Sequence, residues 1–276
     1  MSGKKSMNKI NTFHIGPQKS GTTWLYSALI EHEDVISSPK DSIHYMNIFY
    51  HKGEGWFHRH FKSFDKKVIL DPTPSYIRHE SVPGRIYKYN PKAKIMLTAR
   101  NPLERAFSHY WHEKKKDRFN FTFDEIFKNY DLFTNWIEPG MYAMHYNRFL
   151  EFFPKEQIKI LFFEDLNDNP KRFLEEVCEF CEINSSFMPS VIDRKINKAG
   201  AFKSNKKRQR EQQLLNMPFS RFFYQVKNKI IPNDYREKLE DVSREVKNEV
   251  IDVLHEDICE FELITGRDLS KWKEKF

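Results

Sequence analysis

Gly16-Pro17-Gln18-Lys19-Ser20-Gly21-Thr22-Thr23-Trp24 has the residue types needed to hold an anion. Two glycines five positions apart let backbone N–H groups turn toward a common centre. A helix opening directly after them presents its positive N-terminal end to the same place. Ser20, Thr22 and Thr23 add hydroxyl donors, and Lys19, next to Gln18, adds a mobile ammonium. Set against the phosphate-binding loop G-x-x-x-x-G-K-[ST], Gly16, Gly21 and Thr23 keep their places. Thr22 stands where the lysine belongs, and the lysine has moved forward to Lys19.

A second anion-binding set lies about 80 residues on. Arg100-Asn101-Pro102-Leu103-Glu104-Arg105-Ala106-Phe107-Ser108 follows an apolar run. Arg100 at a strand end offers a planar fork for a phosphate, and Ser108, two helical turns into the next element, offers a hydroxyl. Together they can clamp a phosphate away from the first loop. Arg105 is expected to brace the helix or the loop.

Both sets need elements that bring them together. Residues 10–15 (INTFHI), 68–70, 94–99 (KIMLTA) and 158–163 (IKILFF) read as strands, and 35–37 as a short fifth. A helix is expected over 25–30, a second opening at Pro102 and a third from Pro170 to about 182; proline suits a first helical turn. Strands alternating with helices imply βαβ units and a mostly parallel sheet. In such sheets ligands bind beyond the carboxyl ends of the strands, where the loops after residues 15 and 99 lie. Residues 233–263 return to helical patterning, with Leu239, Val242, Val246, Val250 and Leu254 on the apolar positions.

The chain has 276 residues and a net charge of +7, a positive field suited to an anionic ligand. With 39% hydrophobic and 31% charged residues it reads as globular rather than disordered. Zinc-finger spacing and an RNA-binding aromatic signature are both missing, so no nucleic acid is expected. No stretch approaches the roughly 18 apolar residues of a membrane span, and residues 1–9 lack the apolar core of a signal peptide. Cys178 and Cys181 have CxxC spacing but fall late in a helical pattern, where two reduced thiols are expected rather than a redox pair. With Cys259 they make an odd, small count that fits a reducing, cytoplasmic setting. The whole chain reads as one domain, with a core over about 10–203 and a helical extension over about 211–276.

Taken together the motifs resemble those of the sulfotransferases that use 3′-phosphoadenosine 5′-phosphosulfate (PAPS). PQKSGTTWLYSAL is similar to their 5′-phosphosulfate loop, commonly PKSGTTWL, and Arg100, Pro102, Arg105, Ser108 and Tyr110 follow their 3′-phosphate pattern R-[ND]-P-x-x-R-x-x-S-x-[YW]. His51-Lys52-Gly53-Glu54-Gly55-Trp56 resembles the KG-x-x-W element of the heparan-type and bacterial branches. The resemblance covers residues 12 to about 203. It implies a three-layer α/β, P-loop-like fold with a central parallel sheet flanked by helices. It also implies PAPS as donor, adenosine 3′,5′-bisphosphate as product, and no metal. Gln18 to Trp24, Arg100 and Ser108 would bind the nucleotide, and Lys198, Gly200 and Phe202, in a K-x-G-x-[FW] pattern, would close over it. Lys19 would stabilise the departing phosphate oxygen, and the acceptor would be a carbohydrate or a small alcohol or amine.

The acceptor's proton needs a base. Ser38-Pro39-Lys40-Asp41-Ser42-Ile43-His44-Tyr45 resembles the family's K-E-x-H-[YF]-F, with two residues rather than one between acid and histidine. Asp41 is the first candidate. His44, whose ordinary pKa lies near neutrality, is the second. Asp71-Pro72-Thr73-Pro74-Ser75-Tyr76 resembles E-K-[ST]-P-x-Y of the heparan enzymes, with Pro72 in place of their lysine. Two rival readings remain: a phosphotransferase with Asp71 holding magnesium, and a basic binding protein acting through residues 203–210.

Overall fold

The computed structural model describes residues 9–38, 42–115, 118–119, 121–192, 239 and 242–276. Five strands, β1 (Thr12–Gly16), β2 (Val35–Ser37), β3 (Val68–Asp71), β4 (Lys94–Ala99) and β5 (Ile158–Phe162), form one sheet in the order β2-β3-β1-β4-β5. Every pairing is parallel: Thr12 lies opposite Leu70 on one side and Lys94 on the other, and Ile95 opposite Ile158. All five residues of the central β1 are buried, as a strand covered on both faces requires.

Alternate side chains send the two faces into separate cores. Phe13, Ile15, Ile69, Ile95 and Leu97 join one core, packed on α3 (Ser81–Tyr89), α4 (Pro102–Lys114), α6 (Tyr142–Leu150) and α9 (Arg244–Thr265). Val68, Leu70, Met96 and Leu161 join the other, with α1 (Thr22–Leu29) and α8 (Pro170–Cys181). The result is the expected three-layer arrangement. Short helices α2 (Glu54–His58), α5 (Tyr130–Trp136) and α7 (Phe163–Asp168) complete the set among the described residues.

Local chemistry explains most boundaries. Pro102 and Pro170 each occupy the first turn of their helix, and Asn101 and Asn169 cap those helices by accepting from Glu104 N (3.1 Å) and Arg172 N (3.0 Å). α9 starts at Arg244 because Ser243, with extended ψ, caps it on Val246 N; Val242 therefore lies before the helix, while Val250, Leu254 and Ile258 form its buried stripe. β1 begins at Thr12 rather than residue 10 and runs on to Gly16. α1 opens three residues before the expected position. Phe163 opens α7 instead of ending β5.

The topology makes the crevice. From β1 the chain runs through α1 toward β2, and from β4 it runs through α4 to β5 on the opposite side. β1 and β4 are neighbours, so the sheet's switch point falls between their carboxyl ends, where open α/β sheets place ligands.

Candidate active site

β1 ends in a glycine because nothing else fits. Gly16 has φ +103°, and a Cβ there would stand 2.0 Å from the carbonyl oxygen of Pro74. The loop then passes through two more left-handed residues, Lys19 (φ 71°) and Gly21 (φ 80°). A Cβ on Gly21 would meet Leu166 at 2.7 Å. Gly21 caps α1 without a side-chain hydrogen bond, and the first turn holds no acidic residue. The positive end of α1 thus opens on the loop without a competing carboxylate.

β4 delivers the second set. Tyr142, fully buried, accepts from Arg100 N (3.1 Å) and donates to Arg100 O (2.8 Å) through its hydroxyl. This fixes the backbone at the strand end. The Arg100 guanidinium donates through Nη1 to the carbonyl of Lys19 (2.9 Å), pairs through Nη2 with Glu104 (2.9 Å), and lies over the Phe163 ring at 4.6 Å. Glu164, held above its ordinary pKa by burial, accepts from Asn101 N. One turn past Arg105, Ser108 is 1% exposed, and its hydroxyl has no hydrogen-bond partner among the described residues. Arg105 is wholly buried and donates to Trp136 O, tying α4 to the end of α5. Burial lowers its pKa to about 10. Burial, then the cations Arg105 and Lys19, hold His109 neutral beside them.

The loop after β3 carries the third set. Asp71 is fully buried, and its carboxylate accepts from Thr73 Oγ1 (2.6 Å) and the Tyr76 hydroxyl (2.8 Å). Those two oxygens accept in turn from Ile43 N (3.1 Å) and Met46 N (3.0 Å). The stretch around His44 is thereby tied to β3. His44 itself is left-handed (φ 59°), half-buried, and its Nδ1 lies 3.1 Å from Ser75 Oγ. Burial pushes Asp71 up to about 6, with the two hydroxyls pulling the other way. Beyond, burial followed by the cation Arg78 lowers His79 to about 4.

A family model described as "Sulfotransferase domain" matches residues 9–258. The chain belongs to that family. It is 32% identical over 194 residues to mouse bifunctional heparan sulfate N-deacetylase/N-sulfotransferase 4, covering 63% of this chain and 22% of that protein. The corresponding figures for human bifunctional heparan sulfate N-deacetylase/N-sulfotransferase 3 are 31% over 186 residues, 60% and 21%. The chain thus spans about a fifth of the length of the curated relatives it matches. A solved sulfotransferase from Alicyclobacillus acidocaldarius superposes with a TM-score of 0.70 over 96% of this chain and 99% of that one, at 22% identity, and so shares the fold.

Of the residues expected to form the site, Gln18 to Thr23, Arg100 and Ser108 stand on the loops and helix that flank the switch point, and the contact from Arg100 to Lys19 joins the two motifs directly. Trp24 is taken into the second core: its ring meets Phe173 edge-on and its indole N–H donates to Val191 O at 3.3 Å. Asp41, Lys198, Gly200, Phe202 and the basic stretch 203–213 lie outside the described residues. Sequence reasoning did not find Tyr142, Glu104 or Glu164. Only Glu104 had a local signal, its i,i+4 spacing from Arg100. Lys52 lies over the Trp56 ring at 5.0 Å, so the KG-x-x-W element folds onto itself.

Proposed function

We propose that this sulfotransferase moves the sulfuryl group of PAPS to a hydroxyl or amine of a carbohydrate or small-molecule acceptor and releases adenosine 3′,5′-bisphosphate. The 2.9 Å bond from Arg100 Nη1 to the Lys19 carbonyl carries the reading, because it makes one crevice of two anion-binding sets. The residues suit a doubly phosphorylated nucleotide. Gly16 to Thr23 and the uncapped end of α1 would take the 5′ side. Arg100 and Ser108 would take the 3′-phosphate, which supplies the acceptor that the buried Ser108 hydroxyl otherwise lacks. Glu104 holds the Arg100 fork in place and must share it with that phosphate. Lys198, Gly200 and Phe202 are proposed to close over the nucleotide.

The donor brings an activated sulfuryl group on a phosphate leaving group; the chain supplies position and charge. Lys19 would bring its ammonium to the departing phosphate oxygen, where negative charge gathers. Asp41 and His44 remain the two groups proposed to handle the acceptor's proton. The phosphotransferase reading is disfavoured by Asp71, which is fully buried and held by Thr73 and Tyr76. A glycan amine is the acceptor class that the names of the curated relatives favour. A cytoplasmic setting fits the three free cysteines.

Thermal unfolding tests the donor assignment. At about 100 times its Kd, adenosine 3′,5′-bisphosphate should stabilise the protein by about 2.7 kcal/mol, and ADP at equal concentration by far less. Lys19→Ala should abolish transfer from labelled PAPS. Equal stabilisation by ADP would overturn the reading.

A further inference from the structure

We infer that Asp257, on α9, is a positioning residue for the 3′-phosphate side of the site: it caps α6 from outside that helix and so sets Tyr142, which holds Arg100. The inference rests on the reading of the nucleotide site above for its functional meaning.

α6 opens without a cap of its own. Met141 stands at its N-cap position with no side-chain hydrogen bond, and its first turn holds no acidic residue. The first backbone amides of a helix have no partner within it. Here they find one on α9: Asp257 Oδ2 accepts from Ala143 N at 3.2 Å, and Oδ1 accepts from Met144 N at 2.8 Å. A grip by both oxygens fixes direction as well as distance. A negative charge is also favourable at the positive end of a helix. Burial pushes Asp257 up to about 6, while the backbone amides of Met144, Ala143 and Tyr142 pull it the other way. The group is therefore a carboxylate at pH 8.

The capped turn begins with Tyr142. Its hydroxyl accepts from Arg100 N at 3.1 Å and donates to Arg100 O at 2.8 Å. Two bonds from one hydroxyl to one residue leave little play, so a shift at the start of α6 becomes a shift of the Arg100 backbone. The Tyr142 ring is packed from the same region: the Phe261 ring lies at 5.3 Å and the Trp272 ring at 5.9 Å, centroid to centroid. Just past α9, Arg267 pairs with Asp165 at 2.6 and 2.7 Å. Asp165 adjoins Glu164, which accepts from Asn101 N. Arg100 and its neighbour are thus both braced by groups between residues 257 and 272, which neither phosphate motif includes.

Titration calorimetry on the full chain at pH 8, with adenosine 3′,5′-bisphosphate and with ADP, separates positioning from plain stability. The ratio of the two affinities reports the 3′-phosphate contact, whereas a general loss of folded protein lowers both alike. Asp257→Ala should narrow that ratio by about tenfold. Asp257→Asn keeps one accepting oxygen but no charge, and should narrow it by about threefold. Tyr142→Phe keeps the ring and removes the hydroxyl. It should narrow the ratio by itself, and in that background Asp257→Asn should change nothing further. A lower Tm with the wild-type ratio in Asp257→Ala would overturn the inference. So would an unchanged ratio in Asp257→Asn, which is the deciding variant should Asp257→Ala not fold, or losses that multiply in the double variant. A wild type that binds ADP as well as adenosine 3′,5′-bisphosphate would instead sink the PAPS reading, so the two failures are distinct.

Discussion

Gly16→Ala probes the joint between the anion loop and the acceptor side. The new methyl carbon would stand 2.0 Å from Pro74 O, 2.7 Å from its carbonyl carbon and 2.8 Å from its Cα. Carbon pairs prefer about 3.5–4.0 Å, and these neighbours are backbone, which cannot swing aside like a side-chain end. Overpacking of this kind costs about 1–3 kcal/mol. The φ of +103° adds about 1–3 kcal/mol for a residue with a side chain. Loss of glycine's freedom in the unfolded chain returns about 0.4–1 kcal/mol. A net loss of about 3 kcal/mol corresponds to a fall in Tm of roughly 6–12 °C for a chain of this size class. Gly53→Ala is the internal control. Its φ is +75°, but a Cβ there meets nothing within 4 Å. It should lose only the conformational part, about 1 kcal/mol, or roughly 2–4 °C. Calorimetry or circular-dichroism melts of the two variants decide the matter. If Gly16→Ala melted within error of Gly53→Ala, the packing of the loop on Pro74 would be refuted.

Three further outcomes are expected. Asp71 titrates near 6 in the fold against an ordinary 3.8; the stability it adds is therefore complete below about pH 4 and is lost as pH rises through about 6, a swing of about 3 kcal/mol. Urea unfolding of wild type and Asp71→Asn should show their difference shifting against the wild type over that window; parallel pH curves would contradict it. Ser108→Ala should weaken adenosine 3′,5′-bisphosphate binding by about tenfold to a hundredfold in titration calorimetry, yet leave the unfolding free energy unchanged or up to about 1 kcal/mol higher, since a buried hydroxyl without a partner disappears. Burial raises the Cys178 and Cys181 thiols to about 11 and 12, so at pH 8 a thiol reagent should label only the half-exposed Cys259 in the native protein and all three in denaturant.

Pieces whose causes are local were legible in the residues themselves. Residues 35–37 and 94–99 are strands as their patterns require, and prolines and asparagine caps open α4 and α8 where expected. Helices α3, α5 and α6 escaped the pattern reading: α3 carries Pro83 and Gly84 early on, and α5 is only seven residues long. The glycine spacing of the anion loop and the Arg100–Ser108 spacing were equally legible, because each needs only a neighbouring strand end and helix start. Tertiary structure alone decided that β1 and β4 are neighbours, that Arg100 reaches the Lys19 carbonyl, and that Tyr142 pins Arg100 from 42 residues away. It set Trp24 against Phe173 and Val191 in the second core and turned Asp71 from a candidate metal holder into the anchor of residues 43–46. The reason is physical: spacing along a chain fixes which groups can share an element, whereas a hydroxyl or carboxylate takes its role from whichever donor or acceptor the packing of distant elements brings within 3 Å or so.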